Sequence, residues 1–248
     1  MSSERLVLSD KYKAFLQCDA PAEFLEGTTA AGKTTVGLFK FILKVAESKK
    51  KLHILAADDT GAAEKNIIQK DLGILDDFGQ LVEYKGNGSG EYKMPHILLH
   101  TSGGDKIIFV VGYGNKRKWK DALGGQYGCL YIDEVNTADI DFVRESSMRC
   151  DYLMATLNPD DPTLPVYKEY INCSRPLPEW EQDTPQEIKN ELKEEPKPGW
   201  SIGSFLLTIM PGFRKKRSSR SSRTRRKVRK SGKIRSWACE EKRRLSIQ

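Results

Sequence analysis

Gly27-Thr-Thr-Ala-Ala-Gly32-Lys33-Thr34 sets two glycines, a lysine and a hydroxyl at the fixed offsets of G-x-x-x-x-G-K-[ST]. Glycines let the backbone curl so that its N–H groups point at phosphate oxygens. A helix opening there adds roughly half a positive charge at its amino end. On this pattern Lys33 reaches the β- and γ-phosphates of a nucleotide, and the Thr34 hydroxyl ligates Mg²⁺. The expected nucleotide-binding residues are Gly27, Thr28, Thr29, Ala30, Ala31, Gly32, Lys33, Thr34 and Thr35. The cofactors they imply are ATP and Mg²⁺.

A second set of groups can complete that chemistry. The apolar run Cys129-Leu-Tyr-Ile132 ends in Asp133-Glu134. A carboxylate at the tip of a strand beside a phosphate loop can hold Mg²⁺, and the next residue can polarise the attacking water. Asp133 is therefore assigned to the metal, and Glu134 to general-base catalysis beside Lys33. Taken alone, an acidic turn after a core strand is also an ordinary surface feature. Further on, Thr156 and Asn158 follow another apolar run. An Asn there can bond the γ-phosphate or the attacking water and so sense the nucleotide. Asn-Pro is also a common turn, which leaves the position open on its own.

These groups need a frame. Ala22–Glu26 reads as a short strand ending at Gly27, and Gly32 to about Ser48 as a helix with Val36, Phe39, Leu43 and Ala46 at three- and four-residue spacing. Tyr12, Phe15 and Leu16 sit at helical spacing before it. Leu52–Ala57, Ile97–His100, Lys106–Gly112, Cys129–Ile132 and Tyr152–Thr156 are strand candidates. Gly61–Leu75 reads as a helix with Ile67, Ile68 and Leu72 inward, and Gln186–Glu195 as a charged helix before Pro196. Alternating strands and helices predict an α/β fold with a mainly parallel central sheet flanked by helices. About one hundred residues separate Lys33 from Asp133. That spacing suits the RecA-like (ASCE) P-loop ATPases, which carry an extra strand between the two motifs.

The bulk properties narrow the class. Hydrophobic residues make up 38% of 248, enough for a core. No apolar run approaches the ~18 residues of a membrane span, and Met1-Ser-Ser-Glu-Arg5 lacks a signal-peptide pattern, so no membrane association and a cytoplasmic location are expected. The five cysteines form no C-x-x-C pair and read as reduced thiols. The net charge of +7 is unevenly held: Arg214–Gln248 carries 16 Lys/Arg against 2 Asp/Glu, a net of +14, which leaves −7 for the rest. An acidic body is joined to a basic tail.

The ordered set of the phosphate loop, LHILAA, IIFVVG, LGGQYGCLYIDEVN and MATLNPDDP resembles the phage terminase large subunit over about residues 20–175. The more specific parts are Leu123-Gly-Gly125 and Ala155-Thr-Leu-Asn-Pro159. The resemblance implies an ATP-hydrolysing motor domain for phage DNA packaging, acting on double-stranded DNA as a homo-oligomeric ring, with a small terminase subunit and a portal protein as partners. It matches Asp133 and Glu134 to the metal and catalytic carboxylates, and Thr156 to Asn158 to the motif that couples hydrolysis to movement. Many members carry an Arg in or near the phosphate loop; here Thr and Ala stand there. Arg144, Arg149 and Lys116-Arg117-Lys118 are candidates for the missing arginine finger.

The same family normally continues into a nuclease with clustered carboxylates, so no nuclease activity is expected of this chain. The expected organisation is a lead-in over 1–20, the ATPase domain over 21–175, a helical linker over 176–200 and a basic tail over 201–248, disordered or frameshift-derived. In a shifted frame the codons around Leu207–Lys216 and Ile234–Lys242 can encode acidic and apolar segments resembling the link to that nuclease, so residues after about 200 are expected not to pack. On this reading the chain is a prophage remnant; an Arg-rich tail would still bind nucleic acid nonspecifically. Two other functions fit less of the sequence: a helicase-like P-loop ATPase, which needs a second RecA-like domain, and a truncated chain that binds ATP and DNA without a full motor cycle.

Overall fold

The computed structural model describes residues 10–29 and 31–205. Ala30, expected in the phosphate loop, and the tail after residue 205 lie outside them. Helix α1 (Asp10–Gln17) leads into β1 (Ala22–Gly27), and α2 (Lys33–Glu47) into β2 (Leu52–Ala57). A single turn α3 (Thr60–Ala63) runs into a π-turn over Glu64–Ile68, followed by α4 (Ile74–Phe78). Then come β3 (Val82–Lys85), β4 (His96–Leu99), β5 (Lys106–Gly112), α5 (Lys116–Ala122), β6 (Tyr127–Ile132), α6 (Ile140–Ser147), β7 (Cys150–Leu157), α7 (Gln186–Glu191) and β8 (Trp200–Phe205).

The strands form one eight-stranded sheet in the order β3-β4-β5-β2-β6-β7-β1-β8. Every pairing from β5 to β8 is parallel, and β4 pairs antiparallel with both of its neighbours. Parallel strands covered on both faces must be apolar on both. Alternation along the strand accordingly sends Phe24 and Leu130 to one core cluster and Leu25 and Tyr131 to the other. The first cluster includes Trp119 of α5 and Phe142 of α6; the second includes Tyr12 of α1 and Phe41 of α2. The strand lying between β1 and β6 is β7, whereas Leu52–Ala57 and Lys106–Gly112 lie beyond β6.

Three expectations need correction. In α2 the buried apolar residues are Val36, Leu38, Phe41, Ile42 and Val45, while Leu43 is 41% exposed and Ala46 is exposed. The segment VGLFKFILKV is apolar nearly all round, so spacing alone did not choose a face. Its buried side also carries Lys40, whose Nζ bonds Glu23 Oε1 at 2.5 Å and the carbonyls of Phe15 and Cys18 at 2.6 and 2.7 Å. That ammonium ties α1 and β1 to α2. The predicted helix over Gly61–Leu75 is broken: it ends in the π-turn at Ile68, and Leu72, with a left-handed φ of 57°, turns the chain before α4 begins at Ile74.

The packed region also ends later than expected. Trp200–Phe205 adds a parallel strand beside β1, in register from Ala22↔Trp200 to Gly27↔Phe205. Ile202 is 1% exposed within the sheet. Packing therefore continues through Ser204, past the expected boundary near residue 200. At the other end, Tyr12 and Phe15 of the expected lead-in are core residues.

Candidate functional site

The phosphate loop is built where β1 hands over to α2. Gly32 adopts φ 86°, ψ 5°, a left-handed conformation that glycine takes without penalty, and it caps α2. Its carbonyl accepts from Val36 N at 3.0 Å, and Ala31 N bonds the Thr28 carbonyl at 3.2 Å. The Tyr12 hydroxyl, from α1, donates to the Ala31 carbonyl at 2.6 Å. Behind the loop, a Cβ on Gly37 would stand 3.3 Å from Leu25 Cδ1 and 3.5 Å from Thr156 Cγ2, so α2 lies close against the sheet. A larger residue there would push the loop away from β6 and β7.

Lys33 is buried, and its ammonium donates to the carbonyls of Gly27 and Thr28 at 2.8 and 2.9 Å and to Asn158 Oδ1 at 3.2 Å. Burial pulls its pKa down to about 8, against opposing pulls from Asp133, Glu134 and Glu26. These partners are weak acceptors for a lone cation, and a phosphate would be a stronger one. Thr28 Oγ1 is buried and has no hydrogen-bond partner among the described residues. Thr29 is exposed and Thr35 half-buried.

At the tip of β6, Asp133 Oδ1 accepts from Thr156 Oγ1 at 2.7 Å, from the Tyr131 hydroxyl at 3.2 Å and from Thr34 Oγ1 at 3.4 Å. Glu134 has φ 51°, ψ 50°, a left-handed conformation that costs a non-glycine residue about 1–2 kcal/mol. Such strain is kept where the surroundings over-determine it. Here Glu134 N donates to Thr156 Oγ1 at 3.4 Å, and the Tyr113 hydroxyl donates to the Asp133 carbonyl at 3.0 Å. The Asn158 amide nitrogen donates to Glu134 Oε1 at 3.3 Å. One side chain thus spans Lys33 and Glu134.

The fold thus gathers Lys33, Thr34, Asp133, Glu134, Thr156 and Asn158 at the carboxyl ends of β1, β6 and β7. Three of the candidates for the arginine finger, Arg144, Arg149 and Lys116, stand elsewhere in this chain. Arg144 is held by Glu169, with Nε to Oε2 at 2.7 Å and a second bond from Nη2 to Oε1. Arg149 lies at the amino ends of the strands, where its carbonyl accepts from Tyr127 N at 2.8 Å. Lys116 pairs with Asp141 at 2.7 Å, and Arg117 is exposed.

Several participants carry no motif. Tyr131 could have been found, since it sits two residues before Asp133 on the same strand face. Glu26, at the end of β1, is fully buried; burial raises its carboxyl to about 7, opposed chiefly by the hydrogen bond from Tyr167. The Tyr167 hydroxyl donates to Glu26 Oε1 at 2.9 Å and accepts from Asp160 N at 3.0 Å. Asp160 Oδ2 in turn accepts from Asn136 Nδ2 at 3.0 Å, which links the phosphate-loop strand to the turn after Glu134. No local signal in the sequence marks Tyr167 as part of this chain.

No protein-family model matches the chain, and no curated protein matches it. Solved structures do. The large terminase from a thermophilic bacteriophage superposes with a TM-score of 0.58 at 16% identity, covering 82% of this chain and 47% of that one. The same terminase in complex with ATP-gamma-S matches with a TM-score of 0.55 at 16% identity, over 80% of this chain and 45% of that one. The ATPase domain of the Thermus phage P74-26 large terminase matches with a TM-score of 0.50 at 14% identity, over 82% and 86% of the two chains. The chain therefore has the RecA-like fold of phage large-terminase ATPase domains. It spans about half the length of the bacteriophage terminase it matches. Among the described residues, no helix is long and apolar enough to cross a membrane.

Proposed function

We propose that this chain is the ATP-hydrolysing motor domain of a phage DNA-packaging terminase large subunit, coupling hydrolysis to the movement of double-stranded DNA into a procapsid. The observation that carries the reading is the bridge Lys33–Asn158–Glu134. It sets the lysine of the phosphate loop and a carboxylate of the acidic pair on the two ends of one amide, at 3.2 and 3.3 Å. One side chain between them leaves both groups close enough to act on one phosphate and one water. Residues 10–205 act as one ATPase unit in this account, with α1 and β8 inside it.

Each residue then has a task. Lys33 exchanges the carbonyls of Gly27 and Thr28 for phosphate oxygens, which are stronger acceptors for its charge. Thr28 Oγ1, buried without a partner, gains one from the same ligand. Thr34 Oγ1 and Asp133 Oδ1, 3.4 Å apart, are hard oxygen donors of the kind Mg²⁺ takes alongside phosphate oxygens and waters. Bound there, the ion would offset charge on the β- and γ-phosphates. Thr156 holds Asp133 in place at 2.7 Å. Glu134 accepts the proton of the attacking water, its carboxylate held by the Asn158 amide at 3.3 Å. Asn158 senses the γ-phosphate, because its bond to Lys33 competes with phosphate for the same ammonium.

The likeness to a terminase solved with ATP-gamma-S supports nucleotide binding at this fold's phosphate loop. A homo-oligomeric ring, a small terminase subunit, a portal protein and the cytoplasm of a bacterial host complete the proposal. The test is steady-state ATP turnover with and without linear double-stranded DNA. Lys33→Ala abolishes nucleotide binding and turnover. Glu134→Gln abolishes turnover and keeps binding. Normal turnover by either variant contradicts the assignment.

A further inference from the structure

A cavity of about 380 Å³ opens beside the carboxylates on the side away from Lys33. Its walls include Thr34, Asp133 and Glu134, the three groups placed around the metal and the attacking water. The segment after β2 also lines it, with Asp58, Lys65 and Lys70. In the sheet β6 stands between β2 and β7, so Lys70 and Lys33 approach Asp133–Glu134 from opposite sides. Lys65 is exposed; Lys70 is half-buried.

Lys70 has no structural task that accounts for it. Among the described residues its ammonium makes no hydrogen bond or ion pair, and the carboxylates whose field reaches it are Asp133 and Asp77. A half-buried cation without a bonded partner is costly unless a ligand supplies one. The backbone around it is unusually constrained. The π-turn closes with Gln69 N on the Glu64 carbonyl at 2.9 Å, and Gly73 N returns to the Lys70 carbonyl at 2.9 Å. A Cβ on Gly73 would stand 2.6 Å from the Ile67 carbonyl oxygen and 2.8 Å from that of Lys70. Leu72 is left-handed, and its N–H is held by Asp76 Oδ2 at 2.9 Å. Single π-turns concentrate at functional sites.

We propose that Lys70 is a further catalytic residue of this site, supplying from within the same chain a cation that faces the terminal phosphate across Asp133 and Glu134. The inference rests on the ATPase reading above. Lys33 binds the nucleotide from the loop side; Lys70 closes the other side and offsets the negative charge of the γ-phosphoryl group as water attacks it and its bond to the departing ADP oxygen breaks. The role is one that ring ATPases give to an arginine reaching in from a neighbour, and none of Arg144, Arg149 or Lys116 is brought to the site in this chain.

The test uses the full chain. ATP turnover and the affinity for a fluorescent ATP analogue are measured for Lys70→Ala, Lys70→Met and Lys70→Arg. For the first two, kcat falls by about 10²-fold or more while analogue affinity stays within about threefold, the pattern of a group that acts chiefly in the transition state. Lys70→Arg restores much of the loss. Lys70→Met keeps the apolar stem and decides the matter if Lys70→Ala does not fold. Mixing Lys70→Ala with Glu134→Gln chains gives no activity, because neither subunit then owns a complete site. Turnover within twofold of wild type by Lys70→Met overturns the proposal, and so does recovery of activity on mixing, which would mean the cation crosses between subunits. If Lys33→Ala also turned over normally, the nucleotide-site reading itself would fail, and that result is separate from either Lys70 outcome.

Discussion

Thr34 and Asp133, 99 residues apart in the chain, bring their side-chain oxygens to 3.4 Å of each other. Nothing local enforces that approach. It follows from β7 lying between β1 and β6, from Thr156 on β7 bonding Asp133 at 2.7 Å, and from Gly37 letting α2 settle against Thr156. The pair of oxygens is where a hard divalent ion and a nucleotide would meet.

Asn158 is expected to matter for turnover more than for binding. It accepts from Lys33 and donates to Glu134, so Asn158→Ala frees both groups to wander. We predict a drop in kcat of about 10–100-fold with the ATP KM changed less than fivefold, since small misplacements of a catalytic group are costly. Steady-state kinetics checks it. A change in KM alone would make Asn158 a binding residue only.

Tyr12 reaches the phosphate loop from a helix that lies outside the motif. Tyr12→Phe removes its 2.6 Å bond to the Ala31 carbonyl and keeps the ring packing. A neutral hydrogen bond contributes about 1 kcal/mol. For a domain of this size that lowers the unfolding midpoint by about 2–4 °C. Calorimetry of the two proteins reads it directly, and an unchanged midpoint would show that the loop does not depend on α1.

Glu26 gives a pH dependence of definite sign. Its carboxyl is raised from 4.5 in the unfolded chain to about 7 by burial. A raised folded pKa means that the folded state holds the proton more tightly. Its contribution to stability is complete below about pH 4.5 and is lost as pH rises to about 7. The span corresponds to about 3 kcal/mol. Glu26→Gln keeps an acceptor for Tyr167 and cannot ionise, so its unfolding free energy should lose less between pH 4.5 and 7 than that of the wild type. Parallel curves from urea unfolding would contradict this.

Ile202 tests the end of the sheet. At 1% exposure beside β1, Ile202→Ala is expected to cost about 2–5 kcal/mol. A loss below about 0.5 kcal/mol in urea unfolding would mean that β8 is not part of the cooperative fold.

Much of the candidate site's layout was legible from residue spacing, because most of the residues brought together fall in two short runs. Gly27–Thr34 needs a strand before it and a helix after it, and Asp133–Glu134 needs a strand before it. The six predicted strands all occur, with ends moved by at most two residues. What was not legible depends on partners distant in sequence. The face of α2 is chosen by the sheet, since Phe39 and Leu43 are as apolar as Phe41 and Val45. Strand β8 begins with Trp200 and Ser201, and its pairing to Ala22 and Glu23 has no local mark. Tyr167 and Lys70 look like ordinary surface residues until the fold bonds one to Glu26 and sets the other in the cavity that Thr34 also lines. The left-handed turn at Leu72 broke a periodicity that read as one continuous helix.

The most direct measurement is a crystal structure with a non-hydrolysable ATP analogue and Mg²⁺. The triphosphate is expected on the turn between Gly27 and Thr34, with Lys33 moved from the Gly27 and Thr28 carbonyls to phosphate oxygens and Thr34 and Asp133 as the residues that hold the metal. A nucleotide bound elsewhere, with Lys33 still on those two carbonyls, would contradict it.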